Sequence, residues 1–153
     1  NKREYPLALV LEHACDLLML DSEQLAKRVK IQSEAEPLVF ADFDLLSLAL
    51  KNLLDNGLKY ASDKSVHVKI AKEYLCVSNS GSALSHPIEH YLEAFVTTSV
   101  SGNRGMGLGL YIVQNILELH GFGFGYKYKE GKHHFYIFLS NYCEISVDLK
   151  KGN

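Results

Sequence analysis

The chain has 153 residues, 47% of them hydrophobic and 22% charged, with a formal charge of −2 from 16 Lys plus Arg against 18 Asp plus Glu. That is the length of one domain with a real core, and the composition excludes a disordered chain. The balanced charge argues against a general nucleic-acid binder; no apolar run reaches the ~18 residues of a membrane span, and no signal peptide opens the chain.

In chain order, Leu7 to about Arg28 reads as an amphipathic helix with a break near Leu20-Asp21-Ser22. Val29-Lys30-Ile31-Gln32 alternates like a strand, and Leu38-Val39-Phe40 follows as a second short one. Helical spacing runs from Asp42 to Ala61. Strands are expected at Val66 to Ile70 and Tyr74 to Ser78, joined by the turn Ala71-Lys72-Glu73. A loop with Asn79-Ser80-Gly81-Ser82 precedes a short helical piece around Ile88 to Phe95. A glycine-rich loop from Thr97 to Gly107 leads into a helix, Leu108 to His120, that Gly121 ends. Gly125 to Lys129 and His133 to Leu139 read as strands linked by Glu130-Gly131-Lys132, and Glu144 to Leu149 as a candidate last strand. Because helices and strands do not alternate strictly, an α+β fold, a two-layer sandwich, is favoured over a doubly wound parallel sheet.

Cys15, Cys76 and Cys143 are odd in number and widely spaced. They predict no disulfide framework or zinc site and fit a reducing compartment. His133 and His134 adjoin within a strand, where alternation puts them on opposite faces.

The helix from Asp42 to Ala61 sets two kinds of residue on two faces. Leu46, Leu50, Leu53, Leu54, Gly57, Leu58 and Ala61 share the core arc, while Asp44, Lys51 and Asp55 point to solvent. Asn52, Asn56 and Lys59 form a third group, with Tyr60 at its edge. An amide oxygen can ligate a hard cation such as Mg²⁺, an ammonium can neutralise phosphate, and a tyrosine can lie against a planar base. A solvated polar face is the ordinary alternative.

Of 11 glycines, seven fall between Gly102 and Gly125. Gly105, Gly107 and Gly109 stand where a helix starts. Missing Cβ atoms there let N–H groups approach an anion, and the helix dipole adds positive partial charge. Lys59 and Arg104 could add charge. No Walker sequence occurs, and G-x-G-x-G after a polar loop is a poor Rossmann match. Gly121, Gly123 and Gly125 follow a helix and lead into a strand, so turning and aromatic packing account for them.

With Asn52-Leu53-Leu54-Asp55-Asn56-Gly57-Leu58-Lys59-Tyr60 and Gly105-Met106-Gly107-Leu108-Gly109-Leu110 in this order, the chain resembles the catalytic ATP-binding domain of bacterial sensor histidine kinases. These belong to the GHKL group with the heat-shock chaperone, gyrase B and MutL ATPases. The resemblance implies a Bergerat-type sandwich, its mixed, mostly antiparallel sheet covered on one face by helices. It implies a catalytic domain at 29–139, a linker helix region at 1–28 leading into it, and a tail or extra strand at 140–153.

The first motif matches the N box. Asn56 would then coordinate Mg²⁺, with Asn52 close to the phosphates, Lys59 on phosphate oxygens and Tyr60 on the adenine of ATP. Gly105, Gly107 and Gly109, with Leu108 nearby, match the G2 box bordering the triphosphate. Asn79 and Gly81 stand in the G1 box, Tyr91 to Phe95 in the F box, and Val96 to Arg104 in the lid. His120-Gly121 matches a common ending of the family. Asn79 replaces the usual G1 aspartate and accepts a hydrogen bond without charge assistance. Ala83 replaces the second G1 glycine, and the F box lacks its first Phe and its Pro.

The resemblance further implies transfer of the γ-phosphate to a histidine on the protein's own dimerisation and phosphoacceptor domain. From there it would pass to a response-regulator receiver domain. His13 lacks the surroundings of a phosphoacceptor and reads as an ordinary helix residue. No nucleic acid and no membrane contact are expected of this fragment, which would be cytoplasmic in an inner-membrane sensor. An anti-sigma-factor-type serine kinase and a nucleotide-gated module without transfer stand as alternatives. A hydrolase of the chaperone or MutL type would carry a general-base Glu where Asn52 stands.

Overall fold

The structure, a computed structural model, describes residues 1–93 and 104–139, with only the backbone for 104–108. Residues 96–103 of the expected lid, the end of the F-box position at 94–95 and the candidate strand at 144–149 lie outside the described residues.

Period-two alternation builds the main sheet. In the strand Val66–Ile70, the side chains of Val66, Val68 and Ile70 are buried while His67 between them is exposed. The strands in chain order are β1 (Arg3–Pro6), β2 (Val29–Ser33), β3 (Leu38–Ala41), β4 (Val66–Ile70), β5 (Tyr74–Ser80), β6 (Gly123–Lys129) and β7 (Lys132–Phe138). Five of them form one sheet in the order β2-β4-β5-β7-β6, in which only the β2–β4 pair is parallel. The parallel pair requires a long crossover, supplied by β3 and a helix. This is the mixed, mostly antiparallel sheet of a two-layer α+β sandwich.

The helices are α1 (Leu7–Leu17), α2 (Ser22–Arg28), α3 (Phe43–Tyr60), α4 (Ile88–Tyr91) and α5 (Arg104–Leu119). In α1, Leu7, Val10, Leu11, Ala14 and Cys15 recur at helical spacing and are buried. The helix stops where Met19 takes a φ of 62°, and Asp21 then caps α2 by accepting a hydrogen bond from the Gln24 N–H. The expected break lies there. Helix α3 is capped by Asp42, whose Oδ1 accepts from the Leu45 N–H, and all seven residues of its expected core arc are buried. Side chains of α1, α3 and α5 join the inner face of the sheet in one core.

Several element boundaries differ from expectation, α4 among them, which ends at Tyr91 instead of near Phe95. Strand β1 carries no alternation of its own; it forms because β3, 35 residues later in the register Arg3↔Ala41 to Pro6↔Leu38, offers it a partner. Residues 1–28 therefore pack on the common core through β1 and α1. Strand β5 runs through Asn79 and Ser80, because the register continues to Asn79↔His133 and Ser80↔Lys132. Helix α5 starts at Arg104 instead of Leu108, so Gly105 and Gly107 lie within it. Glycine density reads as loop, yet the Met106, Leu110, Val113 spacing already belongs to the helix. Strand β6 starts at Gly123, and Gly123 and Gly125 stand opposite Phe138 and Tyr136, whose rings stack 5.7 Å apart.

His120 joins the two long helices. The Asp42 N–H donates to its Nε2 at 3.0 Å, so the proton sits on Nδ1, which donates to the Ile116 carbonyl at 2.7 Å. This ties the end of α5 to the start of α3.

Gly57 sets the distance between α3 and the sheet. A Cβ there would collide with Cγ1 of Val66. Gly57→Ala is expected to destabilise the fold by about 1–3 kcal/mol through overpacking, although alanine is the better helix former. A denaturation midpoint unchanged or raised in the variant would contradict this contact.

Candidate functional site

The C-terminal half of α3, the end of β5 and the early turns of α5 converge at one end of the sandwich. Asn56 is 5% exposed, and its Nδ2 is buried without a hydrogen-bond partner among the described residues. Directly opposite is Gly109 of α5, where an added Cβ would stand 3.5 Å from both Oδ1 and Nδ2 of Asn56. An unpaired buried amide costs about 1–3 kcal/mol, so native structures keep one mainly where it has a task.

The other expected residues take graded positions around this amide. Asn52, one turn earlier, is half-buried; Tyr60 is half-buried against the core; Lys59 is exposed. Arg104, Gly105, Gly107 and Leu108 occupy the first turns of α5. The first four N–H groups of an α-helix lack intrahelical acceptors. The structure thus brings Asn56 and Gly109 face to face and leaves Lys59 exposed.

The end of β5 completes the wall. Asn79 is 5% exposed, and its Nδ2 donates to the Ser80 carbonyl at 3.1 Å, an orientation that leaves Oδ1 as an acceptor. That oxygen lies on the Gly57 side, 3.5 Å from where a Cβ of residue 57 would be. The Ser62 N–H donates to the Ser80 carbonyl at 3.0 Å, which joins the end of α3 to the end of β5.

Three polar side chains behind this wall escape the sequence reading. Tyr128 donates its hydroxyl to the Gly81 carbonyl at 2.9 Å. His133 lies 2.8 Å from the Ser82 carbonyl through Nε2 and 2.7 Å from the Tyr126 hydroxyl through Nδ1. A carbonyl only accepts, so Nε2 bears the proton and Nδ1 accepts from Tyr126. His133 is 5% exposed, while His134 on the opposite face is half-buried. The available signal was a histidine at an inward strand position beside two tyrosines at inward positions of the preceding strand.

Two further concavities among the described residues lie away from this site. One of about 530 Å³ sits on the open face of the sheet around His67, Lys69 and Tyr136, and one of about 660 Å³ lies between α1 and β2. Neither includes an expected site residue. Among the described residues no helix is long and apolar enough to cross a membrane.

A mixed sheet with helices on one face and a buried amide where two of those helices meet defines a two-layer α+β sandwich. The chain belongs to the family described as histidine kinase-, DNA gyrase B-, and HSP90-like ATPase, whose match spans residues 41–142. The sensor histidine kinase ArsS of Helicobacter pylori is 34% identical over 134 residues, covering 86% of this chain and 31% of that protein. The sensor histidine kinase YclK of Bacillus subtilis is 27% identical over 141 residues, covering 86% of this chain and 30% of its own length. The chain therefore spans under a third of these curated relatives. The nucleotide-free catalytic domain of histidine kinase ThkA matches with a TM-score of 0.70 at 22% identity, covering 92% of this chain and 96% of that one. The cytoplasmic segment of histidine kinase QseC matches with a TM-score of 0.65 at 23% identity, covering 90% of this chain and 73% of that one. These two likenesses carry the fold.

Burial holds the pKa of His133 below its ordinary value, and the hydrogen bond to Ser82 opposes this in part. The folded state therefore favours the neutral ring. Its contribution to stability is present above the ordinary histidine value of about 6.5 and is lost as pH falls below it. His134 shifts in the same direction, chiefly through burial, so the comparison must isolate His133. The decline in stability on acidification is expected to be smaller in His133→Phe than in the unaltered chain. Equal declines in urea midpoints across that range would contradict the assignment.

Proposed function

We propose that this chain is the catalytic domain of a sensor histidine kinase, which binds Mg·ATP and presents its γ-phosphate to a histidine on the protein's own dimerisation and phosphoacceptor domain. The observation that carries this reading is the buried Asn56 amide, whose Nδ2 has no hydrogen-bond partner among the described residues, facing Gly109 at the contact of α3 with α5. The kinase names of the relatives support it. Residues 29–139 are the catalytic domain proper in this reading, 1–28 lead into it from upstream, and 140–153 follow it. The domain works in the cytoplasm, the parent protein is an inner-membrane sensor, and a response-regulator receiver domain takes the phosphate onward.

The residues present fit Mg²⁺. The ion takes hard oxygen ligands, needs only one or two from the protein and completes its shell with water and phosphate. Asn56 Oδ1 is such an oxygen, and Gly109 keeps the space before it free of a Cβ. When bound, the ion neutralises phosphate charge. This chain's own residues do the positioning. The N–H groups in the first turn of α5, with Gly105, Gly107 and Gly109 around Leu108, border the triphosphate. Lys59, Arg104 and Asn52 add polar and charged contacts on the phosphate side. Asn79 Oδ1 accepts from the adenine amino group, and Tyr60 lies against the base. The attacking imidazole is itself the nucleophile, so phosphoryl transfer asks the domain for placement and charge neutralisation above all.

Mg·ATP is expected to bind, and Asn56→Ala is expected to weaken binding at least tenfold, about 1.4 kcal/mol. Fold stability should not fall, because the Nδ2 donor has no partner among the described residues to lose. Equal affinities by calorimetry would remove Asn56 from the metal site. With the dimerisation and phosphoacceptor domain joined to it, the domain is expected to incorporate label from ATP as an acid-labile phosphohistidine. Acid-stable phosphoserine would point to a serine kinase, and no label to a binding module.

A further inference from the structure

The loop that follows β5 is held from behind by side chains rather than by the main chain alone. Gly81 donates its N–H to the Gly131 carbonyl at 3.1 Å, and the Tyr128 hydroxyl donates to the Gly81 carbonyl at 2.9 Å. Nε2 of His133 donates to the Ser82 carbonyl at 2.8 Å. The imidazole is itself oriented, because the Tyr126 hydroxyl occupies Nδ1 at 2.7 Å. Burying an imidazole and a phenol is costly unless both are paired, and here each is.

Gly81 lies between this network and α3. A Cβ there would stand 3.4 Å from Cδ2 and Nε2 of His133 and 3.4 Å from the Tyr60 carbonyl. The ring of His133 thus sets how far the loop stands from the end of α3. His133 is also the cross-strand partner of Asn79. One side chain therefore touches two features of the same wall, the Gly81 spacing and the Ser82 carbonyl, and the strand that carries it pairs with Asn79.

We propose that His133, supported by Tyr128, is a positioning residue of the nucleotide site: it fixes the Gly81–Ser82 loop and so presets the wall that receives the base. This rests on the assignment of Asn79 and Tyr60 to the adenine side of an ATP site. A loop with Ala83 in place of a second glycine has less backbone freedom, and an external clamp holds it in one conformation. Pre-organisation of this kind lowers the cost of ordering the loop when ligand binds.

The test compares Mg·ATP with Mg·tripolyphosphate, measured by competition against a fluorescent nucleotide on the whole chain. His133→Phe keeps a ring and removes both hydrogen bonds, and is expected to weaken Mg·ATP binding by roughly tenfold. Tripolyphosphate, which lacks the base, should lose less than about twofold. His133→Gln retains a donor and an acceptor, and is expected to restore Mg·ATP affinity to within about threefold of the unaltered chain. Tyr128→Phe removes one hydroxyl from the loop and should cost about threefold, again for ATP alone. It carries the same test if His133→Phe does not fold.

Unchanged Mg·ATP affinity in folded His133→Phe, or in Tyr128→Phe, overturns the proposal. Equal losses for both ligands without rescue by Gln also overturn it, since they mark a residue that only supports the fold. If the unaltered chain binds tripolyphosphate but shows no preference for ATP, the assignment of the base side fails, and this inference fails with it. If it binds neither, the nucleotide site itself is refuted.

Discussion

The approach of α5 to α3 at Gly109 and Asn56 is the contact on which the rest of the molecule depends. It places a buried amide under a helix that has no side chain at the point of contact. Everything else in the fold fixes that geometry. Gly57 lets α3 sit close on Val66, and His120 ties the end of α5 back to the cap of α3. The two helices are held at both ends of their contact: by the imidazole at one, and by packing over the sheet at the other.

A consequence is that polarity in this domain is concentrated instead of spread. The chain carries nearly balanced charge, and its described ion pairs are between exposed or partly exposed groups such as Lys51 and Asp55 at 3.9 Å. Such pairs contribute little. The polar groups around the site are neutral and buried: Asn56, Asn79, His133 and Tyr126 behind them. Neutral groups can be buried with a few hydrogen bonds, whereas charged ones would need full pairing. Cationic Lys59 is exposed, where water solvates its charge.

The sequence was most legible where one period dominates. Helix α3 and strand β4 follow from apolar spacing alone, because their buried residues face a single partner layer. Legibility failed where a distant partner decides. Arg3 to Pro6 becomes a strand only because Leu38–Ala41 lies beside it, and Asn79 joins β5 because β7 extends past it. The start of α5 was misplaced because glycines at a helix N-terminus look locally like loop. For the site, two spaced motifs marked Asn56 and Gly109, and the structure sets them together. His133 reads only as one of two adjoining histidines on opposite faces of a strand, since nothing local announces that a strand histidine will reach a carbonyl 51 residues earlier.

The central claim is that the Asn56 amide is the floor of the nucleotide site. The most direct measurement is the side-chain NH₂ resonance of Asn56 in a ¹H–¹⁵N spectrum, assigned by its loss in Asn56→Ala and followed as Mg·ATP is added. The account predicts a large, saturable shift that tracks the binding isotherm and is reduced when Mg²⁺ is chelated. A resonance that stays in place while ATP binds elsewhere on the domain would contradict it.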